Sequence, residues 1–183
     1  MENKQVVRFN VYEMEYKGGV VESALPLIPF EAKYYERYRN LFTSCFYEMR
    51  KALNVRPYKE FYSLEELAKQ KDNIFLLLGG DEIVGTVSCF KNEIENVAIN
   101  LKYQRQGYGR KLVKFALNYM QKRGDSPIKI TVTKWNKSAI ALYKSLGFEV
   151  IAEKTVEGVN IEGADGNCTF QFTETLLDNV LHP

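Results

Sequence analysis

The sequence predicts a mixed α/β fold in which a central sheet carries helices on both faces. Strand-like stretches of alternating or β-branched residues recur along the chain, for example at 6–16, 83–90 and 128–133. Between them lie segments with apolar residues at helical spacing, most clearly after Gly107. In order, the elements run ββ-αα-βββ-α-β-α-ββ, an order that suits a mixed, mostly antiparallel sheet.

Length and composition indicate one globular domain spanning residues 1–183. A chain of 183 residues with 45% hydrophobic and 26% charged residues can bury a core of ordinary size. The net charge of +2 is too small for a general nucleic-acid binder. The first residues lack the apolar core of a signal peptide, and no apolar run approaches a membrane span. We expect a cytoplasmic protein without a membrane partner.

The cysteine and histidine content limits which catalytic and metal sites the chain can form. Cys45, Cys89 and Cys168 are odd in number and widely spaced, which favours reduced thiols. His182 is the sole histidine of the sequence. A histidine-based triad or zinc site is therefore excluded, and we expect no metal.

The N-terminal third predicts a β-hairpin followed by two helices. Residues 6–16 and 20–28 form the hairpin around Gly18 and Gly19. Pro29 begins a helix whose buried face includes apolar residues from 34 to 53. Ser63 caps a second, short helix.

The remaining elements follow from the same patterns. We expect strands at 74–78, 83–90, 93–101, 128–133, 148–156 and 168–176. We expect helices at 107–123 and 136–147. Asn136 is the expected N-cap and Gly147 the expected C′ residue of the second of these helices. No repeat, linker or domain boundary interrupts the chain.

The run Gln104-Arg105-Gln106-Gly107-Tyr108-Gly109 carries the strongest functional signal. It lies between a strand and an amphipathic helix, so backbone N–H groups and the positive end of a helix dipole converge there. Gly107 and Gly109 allow positive φ and close approach of a bulky anion. Residues 101–123 contain seven basic residues and no acid. This segment predicts a site for a ligand with several phosphates.

Two other phosphate-binding loops fit less well. A P-loop requires Lys-Ser/Thr after the last glycine, where this chain has Arg110-Lys111. A dinucleotide-binding loop requires an acid on the next strand, and residues 128–133 contain none. An ordinary strand-to-helix turn remains an alternative.

From Glu93 to Phe148 the chain resembles the GNAT superfamily, the GCN5-related N-acetyltransferases. Gln104 to Gly109 matches the family's Q-x-x-G-x-G loop. A second pattern, N-x-x-A-x-x-L-Y-x-x-x-G-F, follows in the family's order at 136–148. The resemblance implies the GNAT acyl-CoA N-acyltransferase fold, with 93–148 as the acetyl-CoA-binding core and no metal cofactor.

The resemblance also implies how coenzyme A is held. Backbone N–H groups of the loop bind the pyrophosphate, and the strand backbone pairs with the pantetheine arm. Leu101 stands where the family often has proline. Basic side chains flanking the glycines are candidates for the 3′-phosphate, with a solvated helix face as the alternative. The implied cofactor-binding set is Ile99, Leu101, Gln104, Arg105, Gln106, Gly107, Tyr108, Gly109, Arg110 and Asn136.

Catalytic roles are implied in the same way. Tyr143, two helical turns after Asn136, is the candidate acid for the departing sulfur, with a core tyrosine as the alternative. A backbone N–H near Ile99 is the candidate oxyanion donor. Glu93 and Glu95, on one face of a strand, are candidate bases. A surface pair of glutamates, or a water chain as base, remains open.

The acceptor side is the least defined. Tyr47, Glu48 and Arg50, on the outer face of the first helix, and Tyr58 in the following turn are candidates for an acceptor-facing wall. Such a wall suits a small amine better than an extended acidic partner.

The sequence thus predicts an N-acetyltransferase that moves an acetyl group from acetyl-CoA to a primary amine by direct attack in a ternary complex. The amine belongs to a small molecule or a protein. A non-catalytic acyl-CoA-binding module is an alternative, and an RNA-contacting role for the basic helix is a weaker one. The final strand pair could contribute to a homodimer.

Overall fold

The computed structural model describes residues 3–163 and 167–173. Within them the chain forms eight strands and four α-helices. The strands are β1 (Asn3–Tyr16), β2 (Ile28–Pro29), β3 (Ile74–Gly79), β4 (Glu82–Phe90), β5 (Glu93–Ile99), β6 (Lys129–Thr133), β7 (Phe148–Glu162) and β8 (Cys168–Phe172). The helices are α1 (Tyr35–Ala52), α2 (Leu64–Gln70), α3 (Tyr108–Arg123) and α4 (Lys137–Ser145).

All described strands belong to one sheet, in the order β2-β3-β4-β5-β6-β1-β7-β8. Six of its neighbouring pairs are antiparallel, and β5–β6 alone is parallel within the described residues. The mixed, mostly antiparallel sheet predicted from the sequence is confirmed.

Helices cover both faces of the sheet, as predicted. Apolar residues of α3 and α4, such as Leu112 and Ile140, pack with Ile94 and Ile130 in one core. On the other face, α1 and α2 pack over β3 and β4, and Tyr38 is fully buried there. A third, smaller cluster lies beyond α1, where β1 and β7 meet the segment after α1. The two faces of the sheet are called the α1 face and the α3/α4 face after the helices that cover them.

The predicted N-terminal hairpin is wrong. Strand β1 pairs antiparallel with β7 over its whole length and with β6 over residues 11–15, so it lies inside the sheet. Residues 17–27 form no strand. The alternating pattern of 6–16 was a correct strand signal, but it carries no information on which strand lies alongside it.

Side chains of α3 take the place of a hairpin partner for the segment after Gly19. Gln121 accepts from the Val21 N–H at 2.9 Å and donates to the Gly19 carbonyl at 3.1 Å. Asn118 donates to the Val21 carbonyl at 2.7 Å. Polar groups on a helix thereby satisfy backbone groups that a second strand would otherwise have paired.

Several element boundaries also differ from the predictions. Pro29 lies in the short strand β2 beside β3, and α1 begins only at Tyr35, after a 3₁₀ turn. Strand β5 ends at Ile99, so Leu101 lies in a 3₁₀ turn with its side chain 59% exposed. β7 continues to Glu162, beyond the predicted residue 156. Positions 174–176 of the predicted last strand lie outside the described residues, as does His182.

Neither a membrane-spanning helix nor a metal-ligand cluster is found in residues 3–163 and 167–173. No helix there is long and apolar enough to cross a membrane. The same residues contain no cluster of three or more histidine, cysteine, aspartate or glutamate side chains that could hold a metal ion.

Candidate active site

The central feature of the sheet is the divergence of β5 and β6. Their parallel pairing joins Glu93 to Lys129 and Ile94 to Ile130, and the described register goes no further. Beyond this point β5 runs to Ile99 beside β4, while β6 runs to Thr133 beside β1. Two neighbouring strands that separate in this way open a cleft between them.

A β-bulge shapes the cleft wall formed by β5. Asn96 has a left-handed φ of 51°, and the β4–β5 register shifts between Thr86 and Ser88. Asparagine tolerates this conformation better than most residues, so Asn96 is a bulge signal that the sequence analysis missed. Past the bulge, the Asn100 N–H donates to the Val84 carbonyl at 2.9 Å. Because backbone groups alternate in direction along a strand, those of Ile99 point away from β4, and its carbonyl accepts from Gln104 and from the Cys45 thiol, each at 3.1 Å.

Residues from both faces of the sheet line the cleft, which has a cavity volume of about 120 Å³. On the α3/α4 face it is lined by Asn136 and Tyr143 of α4. On the α1 face it is lined by Glu93 and Glu95, with Met49 of α1 opposite. Two molecules could therefore meet inside it from opposite faces.

The glycine loop lies directly before α3. Gly107 is the N-cap of α3 with φ of 82°, and no side chain caps the N–H groups of the first turn. These groups point out of the helix end and, together with the dipole, favour an anion. The positive φ predicted for Gly107 is confirmed.

Gly109 has a packing role that the sequence did not predict, and its predicted approach to an anion stays a prediction. It has no positive φ. A Cβ at this position would meet the Leu142 side chain at 3.2 Å. Gly109 therefore allows α3 and α4 to approach closely, which brings the end of the loop beside α4.

The polar side chains of the loop hold its own backbone. Gln104 donates to the Ile99 carbonyl at 3.1 Å, and Gln106 donates to the Lys102 carbonyl at 3.1 Å. Arg105 has a left-handed φ of 59°, which is strained for a residue with a Cβ. The Tyr108 ring packs edge-on against Tyr103 at 6.1 Å. The loop is a fixed turn, with its glutamines occupied as internal donors.

Arg110 is directed towards α4. Its guanidinium donates to the Ser145 hydroxyl at 2.8 Å, at the last turn of that helix. Arg110 thus links α3 to α4 and remains exposed. Its predicted contact with a phosphate stays a prediction.

Asn136 caps α4, as the sequence predicted. Its side-chain oxygen accepts from the Ala139 N–H at 3.1 Å and from the Ser138 hydroxyl at 3.0 Å. The residue also lines the cleft. The cap leaves its amide NH₂ group available for another acceptor.

Tyr143 lies on the same side of α4 as Asn136, as their spacing predicted, and is 6% exposed. Its ring packs against Phe148, with ring centroids 6.0 Å apart. Burial raises the pKa of the Tyr143 phenol, so the hydroxyl keeps its proton at neutral pH. The side chain thus belongs to the core and also lines the cleft, and its role as an acid stays a prediction.

Glu93 is a buried carboxyl at the narrow end of the cleft. Its exposed fraction is 7%, and the Thr131 hydroxyl donates to it at 2.8 Å. Burial raises the pKa of Glu93, an effect that the Thr131 hydrogen bond partly offsets. Next to it, Glu13 of β1 pairs with Lys129 at 2.7 Å and with Lys154. Glu93 is thus surrounded by fixed polar groups and is not part of a surface pair.

Glu95 lies farther along β5, where the cleft is wide. Burial, together with the nearby Glu93 carboxylate, raises the pKa of Glu95 to about 8. No described residue donates a hydrogen bond to its carboxyl. A carboxylate with a pKa near neutrality and no fixed partner is suited to accept a proton.

The predicted acceptor wall is only partly present. Arg50 was expected on the outer face of α1, but it is 8% exposed and lines the cleft. It donates to the Pro57 carbonyl at 2.8 Å and pairs with Glu60. Arg50 therefore holds the segment after α1 in place, because a buried guanidinium requires fixed acceptors.

The other three candidates of the acceptor wall lie outside the cleft lining. Tyr47 and Tyr58 contact each other edge-on, with ring centroids 6.1 Å apart. Glu48 is exposed to solvent. Their roles towards an acceptor stay predictions.

Sequence reasoning missed most of the acceptor-side lining. It consists of apolar side chains from β1, α1 and the segment after α1: Phe9, Phe46, Met49, Leu53 and Val55. Met49 and Leu53 were expected on the buried face of the helix. Phe9 carried no local signal, since its place depends on the insertion of β1 beside β6.

Comparison with known sequences identifies the family. The model of the Acetyltransferase (GNAT) family matches residues 35–148. The [ribosomal protein bS18]-alanine N-acetyltransferase of Escherichia coli K12 is 45% identical over 53 residues, which cover 29% of this chain and 36% of that one. Human N-alpha-acetyltransferase 30 is 34% identical over 101 residues, covering 50% and 27%. The matches thus span about a third of the length of these relatives.

Comparison with solved structures confirms the fold. The PaiA N-acetyltransferase of Thermoplasma acidophilum, solved in complex with coenzyme A, matches with a TM-score of 0.58 at 14% identity, over 79% of this chain and 96% of that one. The family model covers well over half of the sequence. The chain belongs to the GNAT acetyltransferase family.

Proposed function

We propose that the protein is an N-acetyltransferase that transfers an acetyl group from acetyl-CoA to a primary amine by direct attack in a ternary complex. The observation that carries this proposal is the cleft through the sheet. It joins a face with Asn136 and Tyr143 to a face with Glu93 and Glu95. Two substrates entering from opposite faces meet between an acid and a base.

Coenzyme A fits the residues of the α3/α4 face. The N-terminus of α3 has no side-chain cap, so its N–H groups are open to a pyrophosphate. The Ile99 N–H points away from β4 and can donate to a carbonyl of an extended arm, while the Ile99 carbonyl is occupied by Gln104 and Cys45. When bound there, acetyl-CoA supplies an activated thioester. Leu101, exposed and outside the strand, contributes less to this pairing than the sequence suggested.

The residues of the cleft divide the proton transfers between them. Glu95 accepts the proton of the acceptor ammonium, which produces the nucleophilic amine. A backbone N–H near Ile99 stabilises the developing oxyanion. The Tyr143 phenol, protonated at neutral pH, donates its proton to the leaving sulfur. Glu93, held by Thr131, remains beside Glu95 and raises its proton affinity.

The acceptor is a primary amine next to an apolar group. The α1 face of the cleft offers two carboxyls for an ammonium and apolar side chains such as Phe46 and Met49 around them. The bacterial relative, by its name, acetylates an alanine of a ribosomal protein, and the human relative is an N-alpha-acetyltransferase. These names favour a protein N-terminus over a small-molecule amine.

The test is an assay of thiol release with acetyl-CoA and a panel of peptide N-termini and small amines, with the acetylated product identified by mass. Glu95→Gln should lower kcat/KM at least ~100-fold, because general-base catalysis contributes about that much. Tyr143→Phe should lower kcat with little change in the Kd of coenzyme A. Glu36→Gln, an exposed glutamate of α1, is the matched control and should change neither.

Two results would contradict the proposal. Tight binding of coenzyme A without thiol release for any amine would indicate a binding module instead of an enzyme. Full activity of Glu95→Gln would exclude Glu95 as the base and favour a water chain.

A further inference from the structure

Two buried hydroxyls on the α1 face lack hydrogen-bond partners. Within residues 3–163 and 167–173, the Tyr38 hydroxyl and the Ser88 hydroxyl are the buried side-chain polar atoms without a partner. Both residues are fully buried. Burial of an unpaired hydroxyl destabilises a fold, so each such group in a native protein requires an explanation.

The two hydroxyls lie beside each other and beside Glu95. Ser88 of β4 is directly opposite Glu95 in the antiparallel register, so the two side chains share the α1 face. Tyr38 of α1 lies above the same strand, with the hydroxyls of Thr86 and Ser88 as its neighbours. Thr86 differs from the other two because it donates to the Phe75 carbonyl at 2.9 Å.

We propose that Ser88 and Tyr38 are positioning residues for Glu95: when Glu95 is ionised, Ser88 donates to its carboxylate and Tyr38 donates to Ser88. This two-step chain satisfies both buried hydroxyls and gives the carboxylate a fixed donor. It rests on the proposed function, in which Glu95 is the base. The chain forms only in the charged state, since an ionised carboxylate is the strongest acceptor available there.

Other ionisable groups face Glu95 from every neighbouring element. Those that interact electrostatically with Glu95 are Glu93 on its own strand, Tyr38 on α1, Tyr62 before α2 and Cys89 on β4. Arg50 and Tyr143 line the same cleft, and Lys129 lies opposite Glu93 on β6. Arg50 already donates to the Pro57 carbonyl and forms an ion pair with Glu60, and Lys129 forms an ion pair with Glu13. Ser88 is the donor that the sheet register places next to the Glu95 carboxyl.

The direct test is the titration of the Glu95 carboxyl by ¹³C NMR in the full chain without substrate. Loss of a donor destabilises the ionised form, so the pKa of Glu95 should rise. We expect a rise of about one pH unit in Ser88→Ala and about half of that in Tyr38→Phe, the size of one hydrogen bond to a charged group. Both changes remove a single oxygen and leave the packing otherwise intact.

A matched control separates this effect from a change in folding. Tyr16→Phe removes a hydroxyl that donates to the Gly19 carbonyl at 2.9 Å, on the α3/α4 face. It should leave the Glu95 titration unchanged. In the active enzyme, the acid limb of kcat/KM should move to higher pH in Ser88→Ala and Tyr38→Phe, and not in Tyr16→Phe.

The outcomes distinguish this inference from the proposed function. An unchanged Glu95 titration in both variants would overturn the inference, whether or not the protein is active. Full activity of Glu95→Gln would instead overturn the role of Glu95 as base, and the NMR titration would still decide whether the hydroxyls stabilise its charge.

Discussion

The two sides of the cleft are built by different kinds of structure. The donor side consists of the loop 104–110 and the start of α4, each a short continuous segment whose conformation follows from its own residues. The acceptor side combines β1 with the end of α1 and the adjoining segment 53–62, which are distant from β1 in sequence. The first depends on local backbone geometry, and the second on long-range packing. Substitutions should therefore affect the two sides through different mechanisms.

The largest effect in this comparison is expected at the donor side, from Gly107→Ala. Alanine at φ of 82° is strained, so the loop must shift and its N–H groups lose their common direction. We expect the Kd of coenzyme A to rise about tenfold, the equivalent of about 1.4 kcal/mol, measured by calorimetry. The KM of the acceptor should stay unchanged.

Gly124→Ala is the control at the other end of the same helix. Gly124 has φ of 87°, and a Cβ would meet nothing within 4 Å, as at Gly107. The two variants should lose similar stability, while only Gly107→Ala weakens coenzyme A binding. Equal Kd values in both variants would show that the N-terminus of α3 does not bind the cofactor.

A smaller effect is expected at the acceptor side, from Arg50→Met. The change removes the donor to the Pro57 carbonyl and the partner of Glu60, so the segment that carries Leu53 and Val55 becomes loose. We expect the acceptor KM to rise about fivefold, or about 1 kcal/mol, with the Kd of coenzyme A unchanged. Steady-state kinetics with the best amine of the panel measures both.

Arg39→Met provides the comparison for this variant. Arg39 is exposed on the same helix, and its sole ion pair among the described residues is a long one of 3.8 Å to the exposed Glu36. Removal of the Arg39 guanidinium therefore changes the charge without loosening the cleft. If Arg39→Met raised the acceptor KM as much as Arg50→Met, the effect would be long-range charge and not the position of segment 53–62.

The same division explains how much could be predicted from the sequence. Gly107 with positive φ and Asn136 as a cap follow from local conformational preferences, and both are confirmed. The mixed sheet and its helices follow from hydrophobic periodicity, since period and length identify each element. The roles of these residues in binding and catalysis stay predictions, because the likeness to solved structures shows the fold alone.

The remaining features depend on contacts that periodicity does not encode. The alternation of residues 6–16 predicts a strand but not its insertion between β6 and β7, so Phe9 could not be placed in the cleft. Arg50 has helical spacing on an outer face, yet it is buried because the following segment folds back over it. The contact of Gly109 with Leu142 is likewise long-range, since a Cβ at Gly109 would meet that side chain at 3.2 Å.

The last prediction concerns the stability that the acceptor side loses by burying its base. With a pKa of about 8 in the folded protein against an ordinary value of 4.5, Glu95 binds its proton more tightly when folded. Its contribution to stability is therefore present at low pH and is lost as the pH rises from about 4.5 to about 8.

Glu95→Gln keeps the shape of the side chain and removes its ionisation. Its Tm should exceed that of the parent chain by roughly 10 °C at pH 8.5 and converge with it as the pH falls to about 4, by differential scanning calorimetry. Glu36→Gln, exposed on α1, should show no such trend. A Tm difference that is the same at every pH would mean that Glu95 is as well solvated as a surface carboxylate. The acceptor side would then lack a desolvated base, and the comparison with the donor side depends on that base.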